Sequence, residues 1–213
     1  MTARRWICSA ATLAVVSLGL TADTGVAARA RAADQSGPVG PQSVSPPVIE
    51  DAESYAIFAI LVSDRTAIGM RATTAVVRAE TAVDPHCWPS GPPLEKDWRV
   101  PADALRTANR EPHLIGVRVL APYSVVSKAD IRSAFGDNLL DGWKHFYERY
   151  PRSSGYFWFS VVGFDVDHAK AIVYVGHAYG TLGGEYSYHF LEKTAHGWTD
   201  VQLAGVNTCL MMS

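Results

Sequence analysis

The sequence lacks the features of several protein classes. Its 213 residues contain no apolar run of the roughly 20 residues that a membrane-spanning helix needs. The formal net charge is −2, and no surplus of Lys and Arg appears beyond the extreme N-terminus, which argues against the phosphate contacts of a nucleic-acid-binding protein. Hydrophobic residues make up 48% of the chain, too many for a disordered protein. We therefore expect one soluble globular domain with no nucleic-acid partner.

Motifs that identify catalytic or metal sites are also missing. The sequence has no G-x-S-x-G elbow, no H-E-x-x-H or C-x-x-C spacing and no Asp-rich calcium loop. Titratable side chains do gather near the predicted hairpins of the C-terminal half, but without the spacing of a ligand set. These are Asp165, Asp167, His168, His177, Glu185 and His189. We expect no metal ion and no cofactor.

The N-terminus has the pattern of an export signal. Arg4 and Arg5 precede an apolar stretch at 7–20, and small residues at 28–32 offer cleavage points. Residues 1–32 are therefore predicted to be a signal peptide, and the protein is predicted to be periplasmic or secreted, with no membrane span after cleavage. Residues 33–46 are rich in Ser, Gly, Pro and Gln and predict a flexible linker. A single globular domain is expected over 47–213.

Cysteine is scarce, with three residues in the whole chain. Removal of the signal would discard Cys8 and leave Cys87 and Cys209, an even number typical of one disulfide in an oxidising compartment. Two separate buried thiols are the alternative, since unpaired cysteine is often buried. His86 beside Cys87 suggests a thiolate–imidazole pair, but side chains adjacent in sequence rarely face each other.

The pattern of apolar residues predicts an α+β fold. Helices are expected at 47–62, 102–109, 127–135 and 139–150, and strands at 75–83, 114–120, 156–164, 169–179, 184–193 and 198–204. Short polar or Gly-bearing connections join the last four strands, as in an antiparallel meander. The predicted architecture is N-terminal helices on one face of a curved antiparallel sheet of about four strands, by analogy a cystatin-like cone.

The C-terminal half carries a recognisable pattern. Residues 142–155 read Gly-Trp-Lys-His-Phe-Tyr-Glu-Arg-Tyr-Pro-Arg-Ser-Ser-Gly; 160–165 and 171–175 follow, then Gly197 and Trp198. This resembles a group of small exported bacterial proteins with the C-terminal pattern W-x-x-F-Y-x-x-Y-P-x-S-x-G … S-x-V-G-F … A-x-V-Y-V … G-x-W. The resemblance extends over 47–213. This chain departs from the pattern at 207–212, where it has Asn-Thr-Cys-Leu-Met-Met in place of the Trp-containing ending of the group. It implies an exported domain and supplies no catalytic residues.

Aromatic residues are the most prominent candidates for a binding surface. Many of them share one helix face or alternate along a strand between 143 and 159, a pattern that is also typical of core packing. Rings on neighbouring strands can come within contact distance and line a ligand surface. The predicted ligand-binding residues are Tyr156, Trp158, Tyr174, His177, Tyr186 and Tyr188.

Three functions remain open at this stage. The first is an exported, non-catalytic binding or interaction domain of the cell envelope, whose partner is a small molecule or an envelope protein. The second is a small cell-envelope hydrolase that uses Glu185 and His177 as acid and base near the turn at 183–184. The third is an immunity or envelope-maintenance protein that acts by docking a partner.

Overall fold

The computed structural model describes residues 45–66, 73–83, 85, 87–116, 123–136 and 139–212. Its helices are α1 (Ala52–Thr66), α2 (Pro92–Glu95), α3 (Arg99–Ala108), α4 (Lys128–Phe135) and α5 (Leu139–Arg149). Its strands are β1 (Thr74–Arg78), β2 (Tyr123–Val126), β3 (Ser153–Phe159), β4 (Gly163–Phe164), β5 (Lys170–Gly180), β6 (Gly183–Thr194), β7 (Gly197–Val201) and β8 (Met211–Met212). The α+β class is confirmed. The predicted signal peptide, residues 33–44 of the predicted linker, His86 and the end of the strand predicted at 114–120 lie outside the described residues.

The strands form one mixed sheet in the order β2-β1-β3-β5-β6-β7, with β4 on β5 and β8 on β6. β1 runs parallel to both β2 and β3, and the other neighbours are antiparallel. The expectation of about four strands in an antiparallel sheet was therefore wrong. The segments between β1, β2 and β3 contain helices, and connections of that length allow parallel pairing. The cystatin-like shape is not confirmed.

Helices cover both faces of this sheet, where the sequence predicted one. On the first face, here called the α1 face, Phe58 and Leu61 of α1 pack against Phe157, Phe159 and other buried residues. On the opposite face, here called the groove face, α2 and α3 pack over β5 and β6, whereas α4 and α5 pack over β1 and β3. Coverage on both faces explains why β5 is buried without interruption from 171 to 177.

Local signals place the helix ends. Ser127 caps α4 by accepting a hydrogen bond from the amide of Asp130 at 3.0 Å, as its position predicts. α1 starts later than predicted because Asp51 is its cap and accepts from the amide of Ser54 at 2.8 Å. Before that cap, the amide of Ile49 donates to the carbonyl of Leu114.

None of the helices in the described part of the chain has the length and apolar character that crossing a membrane requires.

A disulfide joins Cys87 and Cys209, which are 122 residues apart in sequence and have their Cα atoms 5.9 Å apart. It ties the loop before α2 to the C-terminal segment. The amide of Tyr188 in β6 donates to the carbonyl of Thr208, and the Tyr188 hydroxyl donates to the carbonyl of Cys87. The loop is thus attached to the groove face of β6, and the C-terminal segment is attached to the edge of β6.

Candidate ligand-binding groove

A groove of two adjoining cavities opens on the groove face. Arg78 and Lys128 line both cavities. The first chamber has a volume of about 430 Å³ and is lined by Arg78, Glu80, Thr81, Ala82, Val83, Pro85, Pro112, Lys128, Trp158 and Tyr174. The second chamber has a volume of about 390 Å³ and is lined by Arg78, Lys128, Ile131, Arg132, Phe135, Gly136, Trp143 and Tyr156. Both volumes are in the range of small-molecule sites.

The first chamber has an aromatic base on two neighbouring strands. Trp158 of β3 lies opposite Gly176 of β5 in the sheet register. A Cβ atom at position 176 would overlap the indole ring, so the absence of a side chain there lets Trp158 lie on the sheet. Burial raises the pKa of Tyr174 to about 12, with a further rise from Tyr186 and an opposing effect of Arg78. The Tyr174 hydroxyl is therefore neutral at physiological pH.

The second chamber lies between the sheet and the α4–α5 pair. Trp143 of α5 stacks on Tyr156 of β3 with ring centroids 6.1 Å apart and an interplanar angle of 20°. Phe135 of α4 meets Trp143 edge-on at 4.9 Å. Tyr156 also contacts Trp158, at 5.6 Å, so the rings of the two chambers adjoin. The result is a continuous aromatic surface along one side of the groove.

Three cationic side chains surround this surface: Arg78, Lys128 and Arg132. Among the residues that the structure describes, none of the three forms an ion pair within 4.0 Å. The Nε of Arg78 donates to the carbonyl of Glu80 at 2.8 Å, and burial lowers the pKa of Arg78 while the Glu80 charge opposes that effect. The Glu80 carboxylate accepts from the amide of Lys128 at 2.7 Å. The lining residues that the structure describes thus carry three positive charges and one negative charge.

The structure brings three of the six predicted ligand-binding residues into the groove, namely Tyr156, Trp158 and Tyr174. Tyr186 and Tyr188 are on the same face, but neither lines the chambers. Tyr188 is 2% exposed and stacks with Trp88, so it is a core residue. The Tyr186 hydroxyl lies 2.9 Å from the sulfur of Met211 in β8.

His177 lies on the α1 face, behind the sheet from the other five. Its ring stacks on Phe157 with centroids 4.0 Å apart, and the side chain is 5% exposed. Its Nε2 is 2.6 Å from the carbonyl oxygen of Ser154; since a carbonyl only accepts, Nε2 carries the proton in this bond. Glu185 is its direct cross-strand partner. The proposed acid and base are therefore neighbours, but on the face opposite the groove.

A hydrogen-bonded chain that the sequence analysis missed also lies on the α1 face. The hydroxyl of Ser187 is 2.9 Å from Nε2 of His189, and Nδ1 of His189 is 2.5 Å from Oδ2 of Asp200. This is the order of nucleophile, base and orienting carboxylate in a serine hydrolase. Ser187 is 8% exposed, and neither groove chamber includes it. The sequence signal for this hydrogen-bonded chain was the S-x-H spacing of Ser187 and His189, because residues two apart on a strand have their side chains on one face.

The groove cations were missed as well, although the sequence carried signals for them. Arg78 is two residues after Val76 on β1, so both side chains point to one face of a strand whose three central residues are apolar and buried. A charge on a mainly buried strand needs a partner or a solvent channel. Lys128 and Arg132 are four residues apart on α4, which puts them on the same side of the helix.

Neither metal chemistry nor relatives assign the groove a role. In the described part of the chain, no three His, Cys, Asp or Glu side chains come together as metal ligands would. Comparisons with protein-family models, curated proteins and solved structures found no match to the chain.

Proposed function

We propose that this chain is an exported, non-catalytic binding protein of the bacterial cell envelope, and that its ligand is a small molecule held in the groove. One observation carries the proposal: two adjoining cavities with an aromatic surface are bordered by three cations that make no ion pair among the described residues. Amphipathic rings supply contact area, and convergent charges fix a ligand's orientation.

The chemistry of the lining residues favours binding over catalysis. Glu80 is the one carboxylate in the described lining, and its Oε2 is bonded to the backbone amide of Lys128. Thr81 is the one hydroxyl nucleophile there apart from the tyrosines, and its Oγ1 accepts from the amide of His113 at 2.9 Å. A nucleophile needs an adjacent base to react at neutral pH, and among the described lining residues no side-chain base is hydrogen-bonded to Thr81.

Export is supported by two features. The first 32 residues have the charge and apolar pattern of a secretory signal. The disulfide between Cys87 and Cys209 is a form of stabilisation that persists in oxidising compartments. Mass spectrometry of the protein recovered from its own host tests this part, because an exported chain will start near residue 33 and be two daltons lighter than its reduced form.

Binding is tested with N-phenyl-1-naphthylamine, a neutral aromatic probe whose fluorescence rises in an apolar site. We expect saturable binding to the folded protein and at least about a tenfold loss of affinity in Trp143→Ala, which removes a ring of the second chamber. Tyr150→Ala is the matched control, since Tyr150 is a half-buried ring directly after the end of the same helix and lines neither chamber. Circular dichroism will establish that both variants fold.

Two outcomes would overturn the proposal. Absence of saturable binding by the folded wild-type protein is one. An equal loss of affinity in Trp143→Ala and Tyr150→Ala is the other, because it would place the probe outside the groove. If the wild-type protein does not bind the probe but a second protein co-purifies with it at one-to-one stoichiometry, the docking function is supported instead.

A second candidate function, acyl transfer by a serine, is favoured by the Ser187–His189–Asp200 chain alone. In that reaction the Ser187 oxygen would attack an ester carbonyl, its proton would pass to Nε2 of His189, and the alcohol would leave with that proton. A fluorophosphonate probe tests it by covalent attachment to the active serine. Labelling that is lost in Ser187→Ala would establish the hydrolase, whereas an unlabelled protein is the result expected of the binding function.

A further inference from the structure

The two chambers differ in charge. Arg78, Lys128 and Arg132 all line the second chamber, and the part of its lining that the structure describes includes no carboxylate. Glu80 lines the first chamber only. Positive charge in the groove is therefore concentrated at the second chamber, next to the rings of Trp143 and Tyr156.

We propose that the second chamber is a site for an organic carboxylate with a flat apolar ring. This inference rests on the proposed function and names the class of its ligand. The ring lies against Phe135, Trp143 and Tyr156, and the carboxylate is held by Arg78 and Lys128.

Arg78 is placed to recognise a carboxylate. Its hydrogen bond from Nε to the Glu80 carbonyl fixes the guanidinium, while its two terminal nitrogens have no hydrogen-bond partner among the described residues. A planar guanidinium with free N–H groups binds a carboxylate through two parallel hydrogen bonds. Because Arg78 is half-buried, an anion beside it is less screened than at the surface.

The aromatic walls set the shape of the rest of the ligand. Trp143 and Tyr156 are nearly parallel, and Phe135 stands edge-on to Trp143. Flat rings favour stacked or edge-to-face contacts with such walls. Ile131 completes the apolar lining, and the volume of about 390 Å³ accommodates a fused two-ring body.

The position of Glu80 favours one negative charge over several. Glu80 lies in the adjoining chamber and interacts electrostatically with Arg78. The cost of removing an anion from water rises with the square of its charge, whereas its attraction to the lining rises only in proportion to the charge. Because Glu80 offsets part of the positive charge beside Arg78, the described lining favours a carboxylate over a doubly charged phosphate monoester.

The test compares 2-naphthoate with 2-naphthamide, two molecules of the same shape of which only the first is charged. Each is used to displace N-phenyl-1-naphthylamine from the wild-type protein. We expect naphthoate to bind at least about tenfold more tightly than naphthamide, because a charge-assisted hydrogen bond is lost in the amide. Naphthyl phosphate is expected to bind no more tightly than naphthoate.

Variants assign the selectivity to the second chamber. Arg78→Gln will reduce naphthoate affinity about tenfold and naphthamide affinity much less, because the neutral amide has no ionic contact to lose. Arg132→Gln, a change at an exposed helix position, is expected to give a smaller loss of naphthoate affinity. It tests the same site if Arg78→Gln does not fold. Arg110→Gln removes the same charge from an exposed residue that lines neither chamber, and leaves both affinities unchanged.

The outcomes separate this inference from the proposed function. If the probe binds in the groove but naphthoate and naphthamide displace it equally, the carboxylate site is wrong and the binding function stands. If Arg110→Gln lowers naphthoate affinity as much as Arg78→Gln, the selectivity comes from the overall charge and the inference fails. If the probe does not bind at all, the proposed function fails first.

Discussion

The indole ring of Trp158 lies against the backbone of Gly176 on the neighbouring strand, in the space that a side chain at 176 would occupy. This relationship sets the base of the first chamber, because the ring can rest on β5 only where β5 has no Cβ atom. The glycine is thus a structural condition for the groove.

The first prediction concerns this glycine. Gly176→Ala will push the indole ring out of place and reduce probe affinity in the groove at least severalfold, with a free energy of unfolding lower by about 1–3 kcal/mol from overpacking. Probe titration and urea unfolding measure the two effects. Gly180→Ala on the same strand is the control, since a Cβ there would make only ordinary contacts. Equal effects in both variants would contradict the prediction.

The second prediction concerns Asn109, a buried residue at the end of α3. Its Nδ2 donates to the carbonyls of Leu105 and Val161, and its Oδ1 accepts from the amide of Val161 at 2.7 Å. The two carbonyls keep other donors, namely the backbone amide at 109 and the Ser160 hydroxyl, but Asn109→Ala will leave the amide of Val161 without its acceptor. We expect the free energy of unfolding to fall by about 1–3 kcal/mol. Urea unfolding provides the value. Thr107→Ala, an exposed change on the same helix, should cost under about 0.5 kcal/mol.

The third prediction concerns the disulfide. Replacing Cys87 and Cys209 with Ser will lower the free energy of unfolding by about 2–4 kcal/mol, because the open chain gains conformational entropy in the unfolded state. Reduction of the wild-type protein should produce a similar loss, while the double variant should not respond to reductant. A double variant as stable as the oxidised wild type would refute the stabilising role.

The fourth prediction concerns alkaline pH. Burial raises the pKa of Tyr174 to about 12 in the folded state, against 10.0 for an ordinary tyrosine. Between these values the unfolded chain binds fewer protons than the folded chain, so stability is full below pH 10 and falls as the pH rises to about 12. The loss should be of order 1–2 kcal/mol for this residue.

The Tyr174→Phe variant provides the check. Its free energy of unfolding, measured by urea titration at several pH values from 8 to about 11.5, should fall less steeply than that of the wild type. Tyr188→Phe should also flatten the profile, because burial raises the pKa of Tyr188 as well. An unchanged profile in both variants would show that other groups control the alkaline transition.

Local features of the fold were predictable from the sequence. The cap at Ser127, the apolar side of α5 around Phe146 and the hairpin turns between β5, β6 and β7 all depend on residues close together in the chain. Such signals need no knowledge of distant contacts. The parallel pairing of β1 with β3 joins Val76 to Tyr156, and no local pattern specifies a contact across that distance.

The candidate site was predictable in part for the same reason. Alternation along β3 placed Tyr156 and Trp158 on one face, as the structure has them. His177 was grouped with them, but it is an odd-numbered residue on β5 and points to the α1 face with Phe157. Arg78 enters the groove through the parallel pairing of β1, so its role could not be inferred without the topology.

The position of β1 in the sheet has a consequence for the folding pathway. β5, β6 and β7 are joined by tight turns and can pair rapidly, whereas β1 must close a long loop before it can align with β3. We expect substitutions in the β5–β6 hairpin to slow folding and those in β1 mainly to accelerate unfolding. Arg78 is carried by this late strand, so the groove is completed only when the last part of the sheet has formed.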